Sequence, residues 1–168
     1  MRNGLGDIVI VLALSALCVR DCPAQRSETQ PPLLQGVSSL IVTADVRCGS
    51  ASIDSSDVLQ ATQLHLRRMG IRVVGSGSIP WFQMQVLCYP ITDTRGDVMA
   101  YGLSVLGLFH EWAHVPRLSD STWYTVVSWH NGGFGYSGPD GGRAKIDEMI
   151  EQTLSMFEND WLAANPKR

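Results

Sequence analysis

The segment His110-Glu111-Trp112-Ala113-His114 holds the residue types with the clearest capacity for chemistry. On a helix, positions i and i+4 share one face about 6 Å apart. Two imidazoles so placed can converge on one divalent metal, and the glutamate between them can take a proton from a metal-bound water. On a strand the same histidines lie about 13 Å apart, four rises of roughly 3.3 Å, and cannot share an ion. What the segment can do is therefore decided by the element that carries it.

The surrounding residues favour a strand. Gly102 and Gly107 interrupt the run from Val98 to Val115, and each costs a helix about 1 kcal/mol relative to alanine. Tyr101, Val105, Phe109 and Trp112 lean toward β structure. A strand would collect Tyr101, Leu103, Val105, Phe109, Ala113 and Val115 on one face, with Glu111 as a charged intruder near its end. Asp97 as a possible cap, and the long run without a turn signal, argue for a helix. Read with its flanks, the pentapeptide resembles the zincin metallopeptidases, which implies His110 and His114 as zinc ligands, Glu111 as base and Asp120 as third ligand. Two departures oppose that. Arg117 replaces the glycine at which such chains turn, and Pro116 breaks a helix where it should continue. Glu148 and Glu151 are alternative third ligands without a partner motif. The expectation is a strand carrying two surface histidines, with no metal site.

Gly133-Phe134-Gly135-Tyr136-Ser137-Gly138 fits the GxGxxG of dinucleotide binding and falls between a strand and a helix. Pro139-Asp140-Gly141-Gly142 nevertheless separates it from the helix. Too little chain follows for the second strand and acidic ribose ligand of a βαβ unit. It is expected to be a loop with several positive-φ glycines, packing Phe134 or Tyr136 on the sheet. No serine sits in a GxSxG elbow. Asp147, Glu148 and Glu151 read as a solvated helix face, and Arg67, Arg68 and Arg72 as cations at a helix C-terminus. Five tryptophans are ample for a core, and exposed ones would suit a binding surface.

The elements that would position these residues belong to one ordinary domain. The chain has 168 residues, 45% hydrophobic and 17% charged, with a net charge of −3. That composition excludes disorder and a basic nucleic-acid footprint. Arg2, the apolar run Ile8–Leu17 and the small residues around Pro23 follow the order of a secretory signal. Residues 1–24 are expected to leave as a signal peptide after Ala24. Neither Cys18, after Leu17, nor Cys22, after Asp21, follows the small residue that lipid attachment needs. The mature chain then has no transmembrane segment and keeps Cys48 and Cys88, a pair suited to an oxidising compartment. They either bridge, closing a loop of about 40 residues, or stay as separate buried thiols.

Residues 25–36, with Pro31-Pro32, read as a flexible lead-in to a single domain over 37–165. Val37–Val46 is β-branched and forms a first strand. Asp54 caps a helix, with Asp57 in the capping-box position, Ile53 stapled to Val58, and Gly70-Ile71 closing a Schellman ending. Strands follow at Ile71–Val74, Trp81–Tyr89, Val98–Val115 and Thr122–His130, with a turn at Asp93–Asp97. The last helix runs from about Arg143 to Ala163, with Ile146, Met149, Ile150, Thr153, Leu154, Phe157, Trp161 and Leu162 at amphipathic spacing. The order β-α-β-β-β-β-α predicts an α+β fold, a mixed or antiparallel sheet of about five strands with two helices on one face.

Leu66-Arg67-Arg68 before Gly70-Ile71-Arg72-Val73, Ala100-Tyr101, Thr122-Trp123, Gly133 to Gly138 and the ending Phe157…Trp161-Leu162-Ala163-Ala164-Asn165-Pro166-Lys167 resemble a group of small exported bacterial α+β proteins. The resemblance implies a fold and a compartment and supplies no chemistry. The expected function is an exported, periplasmic or secreted, non-enzymatic binding protein. An exposed sheet face or edge would meet a protein or other envelope component, without a cofactor. The competing expectation is a small zinc-dependent metallopeptidase using His110, Glu111 and His114.

Overall fold

The computed structural model describes residues 33–49, 53–77, 80–114 and 122–166. The expected signal peptide, the lead-in as far as residue 32, and Pro116, Arg117 and Asp120 lie outside the described residues. The elements are β1 (Ser39–Arg47), α1 (Ser55–Arg68), β2 (Arg72–Val74), β3 (Trp81–Thr92), β4 (Val98–His114), β5 (Trp123–Ser137) and α2 (Gly142–Ala164). They build one five-stranded sheet in the order β2-β1-β3-β4-β5. β1 runs parallel to both β2 and β3, and β3, β4 and β5 form an antiparallel meander. This is the expected α+β architecture, with a mixed sheet.

Each helix is fixed by its ends and by one apolar stripe. The Asp54 carboxylate accepts the Ser56 backbone N–H at 2.9 Å and caps α1. Asp57 does not complete the anticipated capping box; its carboxylate pairs with Arg143 Nη1 at 3.1 Å, tying the start of α1 to α2. At the other end Gly70 takes φ 92°, its N–H reaches the Arg67 carbonyl, and the Ile71 N–H reaches the Leu66 carbonyl at 3.1 Å. Those are the two bonds of a Schellman motif, with Leu66 and Ile71 both buried beside it. Between the helices His65 sits with Nε2 3.1 Å from Glu158 and Nδ1 3.6 Å from Glu151.

The sheet buries one face by strict alternation. Phe82, Met84, Val86 and Cys88 of β3 and Tyr101, Leu103, Val105 and Phe109 of β4 point into the core. Ile146, Met149, Ile150, Leu154 and Phe157 of α2 close over them. Phe157 is the hub, with ring centroids 4.8 Å from Phe82, 5.0 Å from Trp129 and 6.1 Å from Phe109. Gly107 explains how α2 comes so close. A Cβ there would stand 2.9 Å from both Phe82 Cζ and Thr153 Cγ2. Cys48 and Cys88 form a disulfide with Cα atoms 4.6 Å apart, locking the end of β1 to β3.

The glycine-rich segment departs from its expectation as a loop. Gly132 to Ser137 continue β5 and pair residue by residue with Leu106 to Tyr101 of β4. The reason is steric, and it concerns close approach rather than turning. A Cβ on Gly132 would overlap the Val105 carbonyl, and one on Gly135 would meet Met149 Sδ at 3.2 Å. None of the positive-φ glycines among the described residues falls there; they are Gly36, Gly70, Gly77 and Gly96. Phe134 and Tyr136 project into solvent, 89% and 77% exposed, so neither packs on the sheet as expected.

Candidate functional site

Both helices cover the face that carries Phe82, Phe109 and Trp129. Among the described residues, no helix covers the opposite face. The pairings assemble that outer face in rows: Ile41, Trp81, His110 and Val127; then Gln83, Leu108 and His130; then Asp45, Gln85, Leu106 and Gly132; then Arg47, Leu87, Ser104 and Phe134. Trp112 opposite Thr125, and His114 opposite Trp123, extend it at one end, while Tyr89, Gly102 and Tyr136 extend it at the other. The only full charges in these rows are Asp45 and Arg47, which pair with each other at 3.0 Å. Hydrogen bonds from Arg47 and then Gln85 hold the Asp45 carboxyl below its ordinary range.

The residues of the pentapeptide fall into place on this surface. The segment 110–114 is strand, the last five residues of β4. His110 and His114 therefore project about 13 Å apart, and the convergence that a shared ion requires is lost. Each turns to a tryptophan instead. His110 stacks on Trp81, with centroids 4.6 Å apart and planes at 4°, and His114 lies 5.9 Å from Trp123. Glu111 faces the other way and lines a depression of about 280 Å³ with Leu33, Val37 and Pro80. The alternative third ligands are on α2, in the helical layer, where Glu148 binds Lys145 at 2.8 Å and Glu151 lies against His65. Among the described residues no group of three His, Cys, Asp or Glu side chains could hold a metal ion. Extended β4 keeps the two histidines from converging on one point.

One detail differs from the expected pair of surface histidines. His114 is exposed, but His110 is half-buried with both ring nitrogens shielded from solvent and lacking hydrogen-bond partners. Burial pushes its imidazole below the ordinary histidine value, toward the neutral form. The cause is local. A bulge in β5 sets Val127 opposite His110 while Trp129 stays opposite Phe109, leaving Ser128 as the extra residue. The Ser128 hydroxyl is likewise buried without a partner. The bulge lets Trp129 keep its seat in the core, where its Nε1–H reaches Asp160 at 2.8 Å. Sequence reasoning carried no signal for it, because no proline or glycine marks Val127-Ser128.

The same surface displays the largest exposed apolar side chains of the sheet. Trp112, Trp123, Val127, Tyr89 and Ile91 are each more than two-fifths exposed, beside Phe134 and Tyr136. Around Phe134 lies a depression of about 320 Å³, bordered by Ser104, Leu106, His130, Asn131, Gly132 and Gly133. A surface of rings, amides and imidazoles with almost no charge can stack and hydrogen-bond. Among the described residues, no helix is long and apolar enough to cross a membrane.

No protein-family model matches the chain, and no curated protein matches it in sequence. Among solved structures, the chain is similar to the PelC dodecamer from Paraburkholderia phytofirmans at 14% identity and a TM-score of 0.44, over 77% of this chain and 94% of that one. A minor lipoprotein from Acinetobacter baumannii is similar at 7% identity and a TM-score of 0.37, over 76% of this chain and 93% of that one. The rare lipoprotein B from Shewanella oneidensis is similar at 16% identity and a TM-score of 0.25, over 74% and 87%. With TM-scores below 0.5, these likenesses carry no argument about what the chain does.

Proposed function

We propose that this is an exported, non-enzymatic binding protein of the bacterial envelope, which docks a protein partner on the face of its sheet opposite α1 and α2. The single observation that carries the reading is that face: aromatic, nearly uncharged, and opposite the helical layer. Contiguous exposed apolar surface on a small domain marks an interaction site, and Trp and Tyr are the residues that concentrate binding energy. Export is supported by the signal-like order of residues 2–24 and by the Cys48–Cys88 bridge, which is at home in an oxidising compartment.

The test places a photo-crosslinking amino acid at Trp112, on the face, and at Gln60, exposed on α1, in cells producing the full chain. A discrete adduct from position 112 and none from 60 is the expected result. Equal labelling from both positions, or none from either, overturns the reading.

A further inference from the structure

We infer that β5 is the self-association strand of this protein, pairing antiparallel with β5 of a second copy to join two sheets into one. The two edges of the sheet are built in opposite ways. β2 is three residues long and starts with Arg72, so shortness and a charge blunt it. β5 is 15 residues long and contains no Lys, Arg, Asp, Glu or Pro. Such an edge offers a long row of backbone donors and acceptors, and among the described residues the bulge at Ser128 is its one device against pairing.

The occupant follows from how the strand is divided. Its first arm, Trp123–Val127, is aromatic and β-branched; its second, Gly132–Tyr136, alternates glycines with exposed rings. A two-fold axis between residues 129 and 130 sets each arm against the other arm of the partner copy. Tyr124 then lies beside Gly135, and Val126 beside Gly133, where there is room for a side chain that the glycine lacks. On the outer face Trp123 meets Tyr136, Thr125 meets Phe134, and Val127 meets Gly132. Facing residues match in side because the bulge at Ser128 shifts the alternation between the arms by one. The central residues 128–131, which contain the bulge, stay outside the ladder. A second copy matches the two arms side for side and does so twice, covering Gly133 on each strand. The pairing is independent of the partner reading above, although it would make the two outer faces continuous.

The experiment is sedimentation velocity on the full chain across a hundredfold concentration range, for the native sequence and two double variants. The native protein is expected to sediment as a dimer at tens of micromolar. T125K/F134K puts like charges opposite each other at both symmetric contacts and is expected to weaken the dimer by roughly tenfold or more. T125E/F134K puts opposite charges at the same contacts and is expected to restore it in a salt-sensitive way. Both positions are exposed, and circular dichroism checks that the fold is kept. A native monomer throughout the range overturns the inference. So does a dimer that T125K/F134K leaves intact, since association would then use another surface.

Discussion

Replacing Gly107 by alanine tests how tightly α2 is seated on the sheet. The added methyl would lie 2.9 Å from Phe82 Cζ, 2.9 Å from Thr153 Cγ2 and 3.2 Å from Trp129 Cζ3. None of these neighbours can give way easily. Phe82 is fully buried, its ring 4.8 Å from Phe157 and 6.0 Å from Trp129. Thr153 is fixed by its hydroxyl donating to the Met149 carbonyl at 2.8 Å. Forcing a methyl into a filled core costs about 1–3 kcal/mol. The reduced freedom of the unfolded chain returns about 0.4–1 kcal/mol. The net expectation is a destabilisation of about 1–2 kcal/mol, read by urea denaturation with the disulfide intact. Thr153→Ser deletes Cγ2 and keeps the hydroxyl, so in that background Gly107→Ala should cost about 0.5–1 kcal/mol less. A Gly107→Ala variant as stable as the native protein would refute the reasoning. So would a cycle with no coupling, which would mean that α2 slides outward rather than resisting.

Three further outcomes are expected. Cys48→Ser with Cys88→Ser should lower stability by about 4 kcal/mol in the chain-entropy account of a 40-residue separation, measured by denaturation without reductant. The burial that pushes the His110 imidazole down sets the sign of a pH effect. The unfolded chain takes up its proton near pH 6.5 and the folded one only lower, so stability is full above about 6.5 and falls as pH drops below it. His110→Phe, which keeps a ring on Trp81, should flatten that part of the profile in thermal melts at pH 7.5 and 5.5. Finally, a tenfold excess of Zn²⁺ should leave the melting temperature of the native chain and of Glu111→Gln alike unchanged. A rise abolished by His114→Ala would mean that the strand geometry does not govern these side chains.

The architecture was legible because each element announces itself locally. Asp54, Gly70 and Ile71 mark both ends of α1, and the spacing of Ile146 through Phe157 marks α2. The odd-numbered apolar residues of β4 likewise point to a strand, even through an HExxH. Legibility failed where tertiary approach overrode local preference. The glycines at 132 and 135 look like turn residues, and are strand residues packed so closely on β4 and Met149 that a Cβ would crowd them. The bulge at Ser128 keeps Trp129 over Phe157, a long-range demand that leaves no mark in the neighbouring residues. The aromatic face was visible only as a surplus of tryptophans; its position on the side opposite α1 and α2 required the register.

The clip at the two ends of the domain bears on the order in which the chain can become ordered. The Asn165 side chain accepts the Gly36 N–H at 2.7 Å and donates to the Leu34 carbonyl at 2.8 Å, while the Trp161 indole donates to the Val37 carbonyl at 2.9 Å. These bonds span 124 to 131 residues of sequence. A chain delivered from its N-terminus, through a ribosomal tunnel or a translocation channel, brings out β1 long before the residues that seat it. The β3–β4–β5 meander uses short-range pairing and can close on the way. The residues leading into β1, Leu34 to Val37, must wait until α2 has emerged in full. Vectorial delivery thus keeps the leading end of the domain open until the last turn of α2 arrives to fasten it.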